Sequence, residues 1–226
     1  MKRAGAPPPP LADDTRGDEA GRRPPPLPRD AQADVDHLRE RCVEARPAWR
    51  GGFLDVRRDR VALPDGTETI REYIVHPGAV MIVPLVGPDR VVIERQWRYP
   101  VCRAMLEFPA GKLEPGEPVL DCAVRELIEE TGYRAAEWAR AGILHNAIGY
   151  SDEGIEVWFA RGLSGGERRL DAGEFLDVFE AGIDELEAAA GRGEITDAKT
   201  LIGLLWLAHW RAGQWPLRWM GAAGPS

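Results

Sequence analysis

Between Gly111 and Tyr133 the chain reads GKLEPGEPVLDCAVRELIEETGY, and this stretch limits the possible folds more than any other. A glycine-rich turn leads to Pro118, which suits a first helical position, and Gly132 suits a C-terminal cap. Between those bounds Leu120, Ala123, Val124, Leu127 and Thr131 share one stripe, so the spacing predicts a helix with one face on a core. Glu126 and Glu130 lie one turn apart on another stripe, with Glu129 beside them. Like charges at that spacing weaken an isolated helix by roughly 0.2 to 0.5 kcal/mol per pair. A divalent cation removes the objection, because carboxylates are hard oxygen ligands for Mg²⁺ or Mn²⁺ and Mg²⁺ keeps positions for water and substrate phosphate. Three glutamates on a helix, taken alone, are more often a solvated face.

Upstream, the runs Pro7 to Pro10 and Pro24 to Pro26 predict a disordered tail over residues 1–33, with a polyproline ligand as the rarer alternative. Val35, Leu38, Cys42 and Ala45 recur at helical spacing, which predicts a leading helix and linker over 34–50. The main domain is expected over 51–213, with a tail over 214–226. Gly52 to Val61 and Glu68 to Val75 read as strands around the turn Pro64-Asp65-Gly66. Ala79 to Val86 and Arg90 to Trp97 read as a second hairpin around Gly87-Pro88-Asp89. Further strands are expected at Ala141 to Ala147, Ile155 to Arg161 and Leu176 to Glu180. A helix follows from about Asp184 to Ala190, with Asp184 and Glu187 spaced as a capping box. Asp197 can cap a last helix, Ala198 to Trp210. Hairpins with few helices imply a mixed sheet rather than a doubly wound fold.

At 226 residues one full-sized domain is expected. The net charge of -8 argues against a general nucleic-acid binder, while a small anion needs only a local pocket of arginines or bound cations. The three cysteines, Cys42, Cys102 and Cys122, are too far apart for a CxxC zinc site and odd in number for closed disulfides, which suits a reducing cytoplasm. The apolar run near Leu201 to Trp210 is about half of the roughly 20 residues a membrane span needs, and the N-terminus has no apolar core of a secretion signal.

The segment from Gly111 resembles the Nudix box, in which Gly, Glu, Arg-Glu, an aliphatic residue, Glu-Glu and Gly stand at fixed separations. Gly111, Glu117, Arg125, Glu126, Leu127, Glu129, Glu130 and Gly132 fill those places, with Tyr133 where an aliphatic residue is commoner. With average residue usage such a match arises by chance on the order of once in 10⁸ starting positions. From Gly52 to Thr200 the chain is similar to the ADP-ribose pyrophosphatase branch. Glu72, His76-Pro77-Gly78-Ala79-Val80, Arg95-Gln96-Trp97-Arg98 and Leu106-Glu107-Phe108-Pro109-Ala110-Gly111 carry that likeness, then Ser151-Asp152-Glu153 and Asp197-Ala198-Lys199-Thr200. Ile148-Gly149-Tyr150 departs from the Pro-Gly-Phe common before Ser-Asp-Glu in the branch, which leaves another nucleotide sugar or a dinucleotide open as substrate.

The resemblance implies an α+β architecture, an α/β/α sandwich with a mixed central sheet, N-terminal antiparallel strands and a C-terminal helix. It implies hydrolysis of ADP-ribose or a related nucleoside diphosphate sugar, with Mg²⁺, or Mn²⁺, held by Glu126, Glu129, Glu130 and the Ala110 carbonyl. Arg125 would orient the glutamates and Glu153 would take a proton from water, or else be a solvated turn residue. Arg98, Glu107 and Arg71 match substrate-contact positions, Arg98 and Glu107 having a structural ion pair as the alternative. Trp97 either stacks on an adenine ring or is a half-buried sheet residue. His76 reads as structural, and Trp206, Trp210, Trp215 and Trp219 as C-terminal packing or an oligomer contact. A homodimer exchanging N-terminal strands is implied by the family. A nucleotide-sensing module without catalysis is the reading from another class, and its expected mark is a degraded box. Every charged place here is intact.

Overall fold

The structure is a computed structural model that describes residues 35–170 and 173–221, so the expected disordered tail lies outside the described residues. The chain divides after Arg39 into two compact units. In the first, Leu38 N–H donates to Val35 O at 2.9 Å and closes a turn. The remainder carries the fold.

Four strands open it: β1 (Arg41–Glu44), β2 (Pro47–Arg50), β3 (Asp55–Ala62) and β4 (Glu68–Val75). All pair antiparallel with β3. Because β4 matches the full length of β3, β1 and β2 must share the opposite edge of β3, one after the other. The helix expected across Val35 to Ala45 is therefore not formed over Arg41–Glu44. Its apolar residues are too few to bury a stripe, and the open backbone edge of β3 offers those residues hydrogen bonds that override weak helical preference.

The chain continues through β5 (Ala79–Pro84), β6 (Arg90–Arg98), β7 (Arg103–Glu107), β8 (Ala110–Lys112), α1 (Val119–Glu126), β9 (Arg134–Leu144) and β10 (Ile155–Ser164). It closes with β11 (Leu176–Gly182), α2 (Ile183–Gly191), α3 (Ala198–Arg211) and β12 (Met220–Gly221). A central sheet runs in the order β12-β9-β10-β5-β8, and a smaller one in the order β11-β6-β7. In the central sheet β10 runs parallel to β5 and every other pair is antiparallel, so the sheet is mixed.

The hairpin expected from β5 and β6 is not formed. The two strands lie in different sheets, joined by an isolated bridge from Leu85 to Val91. β5 is buried throughout and gives its edges to β10 and β8, while β6 gives its edges to β7 and β11. A short turn cannot outweigh two filled edges.

Both faces of the central sheet are covered. Val80, Ile82, Trp158 and Ala160 pack on one side with Cys122 and Ala123 of α1 and with Leu127, the residue after it. Met81, Val83, Val157 and Phe159 point to the other side, among Ile183 and Leu186 of α2 and Leu204 and Leu207 of α3. This two-residue alternation produces the α/β/α sandwich. Trp158 lies on the face opposite Ile155, Val157 and Phe159 and packs there with Cys122 and Ala123 of α1. The expected capping box at Asp184 is also absent: α2 starts at Ile183, whose N–H donates to Asp89 O at 2.9 Å, and Gly182 is the residue before it. Asp197 does cap α3, accepting from Thr200 N–H at 2.9 Å. Trp206, Trp210 and Trp219 pack against the core. No helix among the described residues is long and apolar enough to cross a membrane.

Candidate active site

α1 ends at Glu126 and the chain widens into one π-type turn, Leu127–Thr131, before Gly132 stops it at φ 76°. A side chain on Gly132 would also press on Gly166 O and Arg168 N, at 2.7 and 2.9 Å from the position of its β-carbon. Such a widened turn re-aims the residues it carries, and here it separates two neighbouring glutamates. Glu130 turns inward, 4% exposed, and accepts from Ala110 N–H at 3.0 Å. Glu129 stays at the rim.

Arg125 organises that rim. Its guanidinium donates to both oxygens of Glu117 at 2.8 and 2.9 Å, to Glu126 at 2.8 Å, to Glu129 at 2.9 Å and to Lys112 O at 3.1 Å. A planar fork can serve several carboxylates at once, which an ammonium cannot do with the same geometry. The Arg125 bond pulls the Glu117 carboxyl down to about 2. Burial pushes the Cys122 thiol up to about 12, and its Sγ lies 3.4 Å from Lys112 O.

Gly111 supplies the hollow beside this cluster. A β-carbon there would overlap the carboxyl group of Glu126, so the residue must be glycine for Glu126 to lie where it does. The Gly111 backbone does not need a left-handed conformation. Space alone sets the requirement.

Ala110, Gly111, Arg125, Glu126 and Glu130 line a cavity of about 590 Å³ together with Arg98, Lys199, His76 and Glu153. That volume suits a small ligand. Among the described residues no three carboxylate, imidazole or thiol groups stand together as a ready-made ion cage. The chemistry of the wall nevertheless fits a divalent cation. Burial raises the carboxyls of Glu126 and Glu130, and Glu130 is held well above the usual range, with Glu94 and Glu126 adding repulsion. Buried acids that repel one another and offer hard oxygens are relieved by a cation.

Arg98 and Glu107 form an ion pair in the cavity wall. Arg98 donates to both Glu107 oxygens at 2.6 and 2.8 Å, and Lys199 Nζ bonds Glu107 and also Asp197, the latter at 3.0 Å. Burial pushes the Glu107 carboxyl up, but the Arg98 and Lys199 contacts outweigh it and leave it below the ordinary value. Lys199 thus joins the site beside the Asp197 cap, a position its sequence neighbourhood marked without giving a role.

Two expected substrate residues lie elsewhere within the chain. Arg71, on β4, is paired with Glu40 at 2.9 and 2.5 Å and is not part of the cavity wall. Trp97 alternates with Gln96 and Arg98 on β6 and faces a separate groove of about 370 Å³ with Arg95, Arg168 and Phe175. Strand alternation sends neighbours to opposite faces, so Trp97 and Arg98 cannot share one pocket from one strand.

Glu94 shares the face of Gln96 and Arg98, and no sequence signal marked it. It is 1% exposed, neither oxygen has a partner among the described residues, and it sits opposite Glu107 across β6 and β7. Burial, then Glu107, pushes its carboxyl up to about 8. An acid whose folded value exceeds its unfolded one binds more protons when folded, so its contribution is favourable at low pH and is lost as pH rises toward 8. Glu94→Gln should therefore flatten the decline in unfolding free energy between pH 5 and pH 8.5, measured by denaturant titration with a chelator present. A tenfold difference in proton affinity between the folded and unfolded chain corresponds to about 1.4 kcal/mol. Equal slopes for the variant and the parent would contradict the assignment.

The fold and the acidic, arginine-bound cavity together define a hydrolase of the Nudix class. Residues 75–201 match the NUDIX domain family. The chain is 34% identical over 172 residues to the ADP-ribose pyrophosphatase of Bacillus subtilis, covering 75% of this chain and 93% of that protein. It is 35% identical over 170 residues to the methanol dehydrogenase activator of Bacillus methanolicus, covering 74% and 92%. The crystal structure of an ADP compounds hydrolase shares the fold with a TM-score of 0.70 at 24% identity, covering 78% of this chain and 97% of that one. The chain therefore belongs to the Nudix family and is a Nudix hydrolase. Nudix hydrolases in general need a divalent metal.

Proposed function

We propose that this chain hydrolyses the diphosphate of ADP-ribose or a related nucleoside diphosphate sugar to a nucleoside monophosphate and a sugar phosphate. The observation that carries this reading is one cavity lined by Gly111, Glu126, Glu130 and Glu153 together. The activity for which two of its relatives are named favours an ADP-ribose type of substrate.

Ala110 O, Glu126, Glu129 and Glu130 would hold Mg²⁺, with Mn²⁺ as substitute. Such a cation neutralises diphosphate charge and acidifies bound water. Arg125 offsets the mutual repulsion of Glu126 and Glu129 and fixes their direction. The Glu153 carboxylate accepts a proton from water as the water oxygen forms a bond to phosphorus. The bond from that phosphorus to the bridging oxygen breaks, and the bridging oxygen leaves on the second phosphate. Arg98 and Lys199 present positive edges to the substrate while Glu107 holds their geometry.

We also propose a homodimer built on the first sheet, supported by Val43, Trp49 and Ile70, all exposed on it. The three free cysteines suit a reducing compartment such as the cytoplasm.

The test is a panel of ADP-ribose, other nucleoside diphosphate sugars, dinucleotides and nucleoside triphosphates with Mg²⁺, scored by product. Highest kcat/KM on a nucleoside diphosphate sugar supports the reading, and preference for triphosphates sinks it. Glu153→Gln should lower kcat on the best substrate by about 10²- to 10⁴-fold, the usual scale for a positioned base. A kcat within error of the parent would remove Glu153 from that role.

A further inference from the structure

The loop bearing Glu153 is laced to the end of β4, the start of β5 and the segment between them. Ile74 N–H donates to Tyr150 O at 2.9 Å, Asp152 N–H to Ile74 O at 3.3 Å and Ala79 N–H to Gly154 O at 3.0 Å. The Asp152 carboxylate accepts from the backbone N–H of His76 at 2.7 Å. These bonds bring two short motifs, far apart in sequence at His76 and Glu153, to one side of the cavity.

The imidazole of His76 is nearly buried, with 7% of its side chain exposed. Its Nδ1 accepts from Gly78 N–H at 3.1 Å. A nitrogen that accepts has no proton, so the neutral ring carries its proton on Nε2. Nε2 lies 3.5 Å from Oε1 of Glu153. That separation exceeds a formed hydrogen bond by a few tenths of an ångström, a gap that rotation of the Glu153 side chain closes. The ring cannot turn away easily, because Phe53 stands edge-on against it at 5.6 Å and Lys112 caps the Phe53 ring at 4.3 Å.

We infer that His76 is a positioning residue: held by Gly78 and Phe53, it presents Nε2–H to Glu153 and fixes the direction of that carboxylate in the cavity. The inference rests on Glu153 being the proton acceptor proposed above. A carboxylate on a loop has free rotation about several bonds, and one fixed donor restricts it to orientations that face the water. His76 touches no reacting atom itself.

The two ring nitrogens can be separated by substitution. Asparagine at this position keeps an acceptor near Nδ1 and loses the distal donor, whereas glutamine carries a donor near the place of Nε2. His76→Asn should lower kcat about 10- to 100-fold, the scale of a roughly 1 Å misplacement at a reacting group, with KM changed less than about twofold. His76→Gln should recover most of the lost kcat. In a Glu153→Gln background His76→Asn should have no further effect on kcat. NMR of ¹⁵N-labelled full-length chain should show the His76 proton on Nε2, a readout that does not depend on any variant folding.

Equal losses for the asparagine and glutamine variants, or parental kcat in both, would overturn the inference. So would a proton on Nδ1 or an additive loss in the double variant. If Glu153→Gln retains parental kcat, the base assignment fails and this inference with it. If Glu153→Gln is inactive while His76→Asn is not impaired, this inference alone fails.

Discussion

Glu126→Gln is expected to lower kcat by about 10³-fold or more while leaving the folded chain intact. The substitution keeps the shape of the side chain and an oxygen for the Arg125 bond, now 2.8 Å. It removes one formal charge from the cavity, and loss of the proposed cation ligand would sacrifice several kcal/mol of transition-state stabilisation. Burial already raises the Glu126 carboxyl, so the neutral amide should not reduce stability and can increase it. Activity and stability thus separate. Steady-state kinetics with denaturant unfolding on the same preparation checks this, and a joint fall in both would mean that Glu126 acts through the fold rather than on the reaction.

Gly111→Ala is expected to produce the second large effect, through one methyl group. The added carbon would occupy the space of the Glu126 carboxyl group, so Glu126 must swing aside or β8 must shift from β5. The displaced atoms are the far end of a flexible side chain, so the effect falls on the position of the Glu126 carboxyl more than on stability. Moving a group that positions the reaction, as proposed for Glu126, by about 1 Å costs roughly 10²-fold in rate. The backbone itself tolerates alanine at Gly111, since the position has no left-handed conformation. A variant with parental kcat would show that Glu126 need not lie against Gly111 for catalysis.

The box was legible because its information is local. Gly111, Arg125, Glu126, Glu130 and Gly132 sit within a few turns of one another, and helix bounds and periodicity place them without reference to the rest of the chain. The hairpin β3–β4 was legible for the same reason, with Gly66 in the turn between strands that pair along their full length. Asp197 and the last helix followed from a cap that is read within four residues.

What escaped depends on contacts remote in sequence. Arg41–Glu44 becomes a strand because β3 has a free edge, a fact no local window contains. β5 and β6 part because β10, more than 60 residues later, claims β5. Arg71 and Trp97 were matched by motif position, but sheet pairing and strand alternation aim them away from the cavity within one chain. Arg98 and Glu107 were read as substrate contacts with a structural ion pair as the alternative; they do bond each other, and Lys199 enters their pair from α3, 92 residues beyond Glu107. Glu94 gave no sign at all, because a glutamate in an alternating strand looks solvent-facing until remote residues, Glu107 of β7 and Lys199 of α3 among them, gather near it.

The most direct test of the whole account is a single product analysis. The chelated protein is incubated with ADP-ribose before and after addition of Mg²⁺, and phosphorus NMR follows the products. The expected result is no turnover with chelator and, after Mg²⁺, equal amounts of AMP and a sugar phosphate. Release of orthophosphate or pyrophosphate instead, or turnover that ignores the chelator, would contradict it.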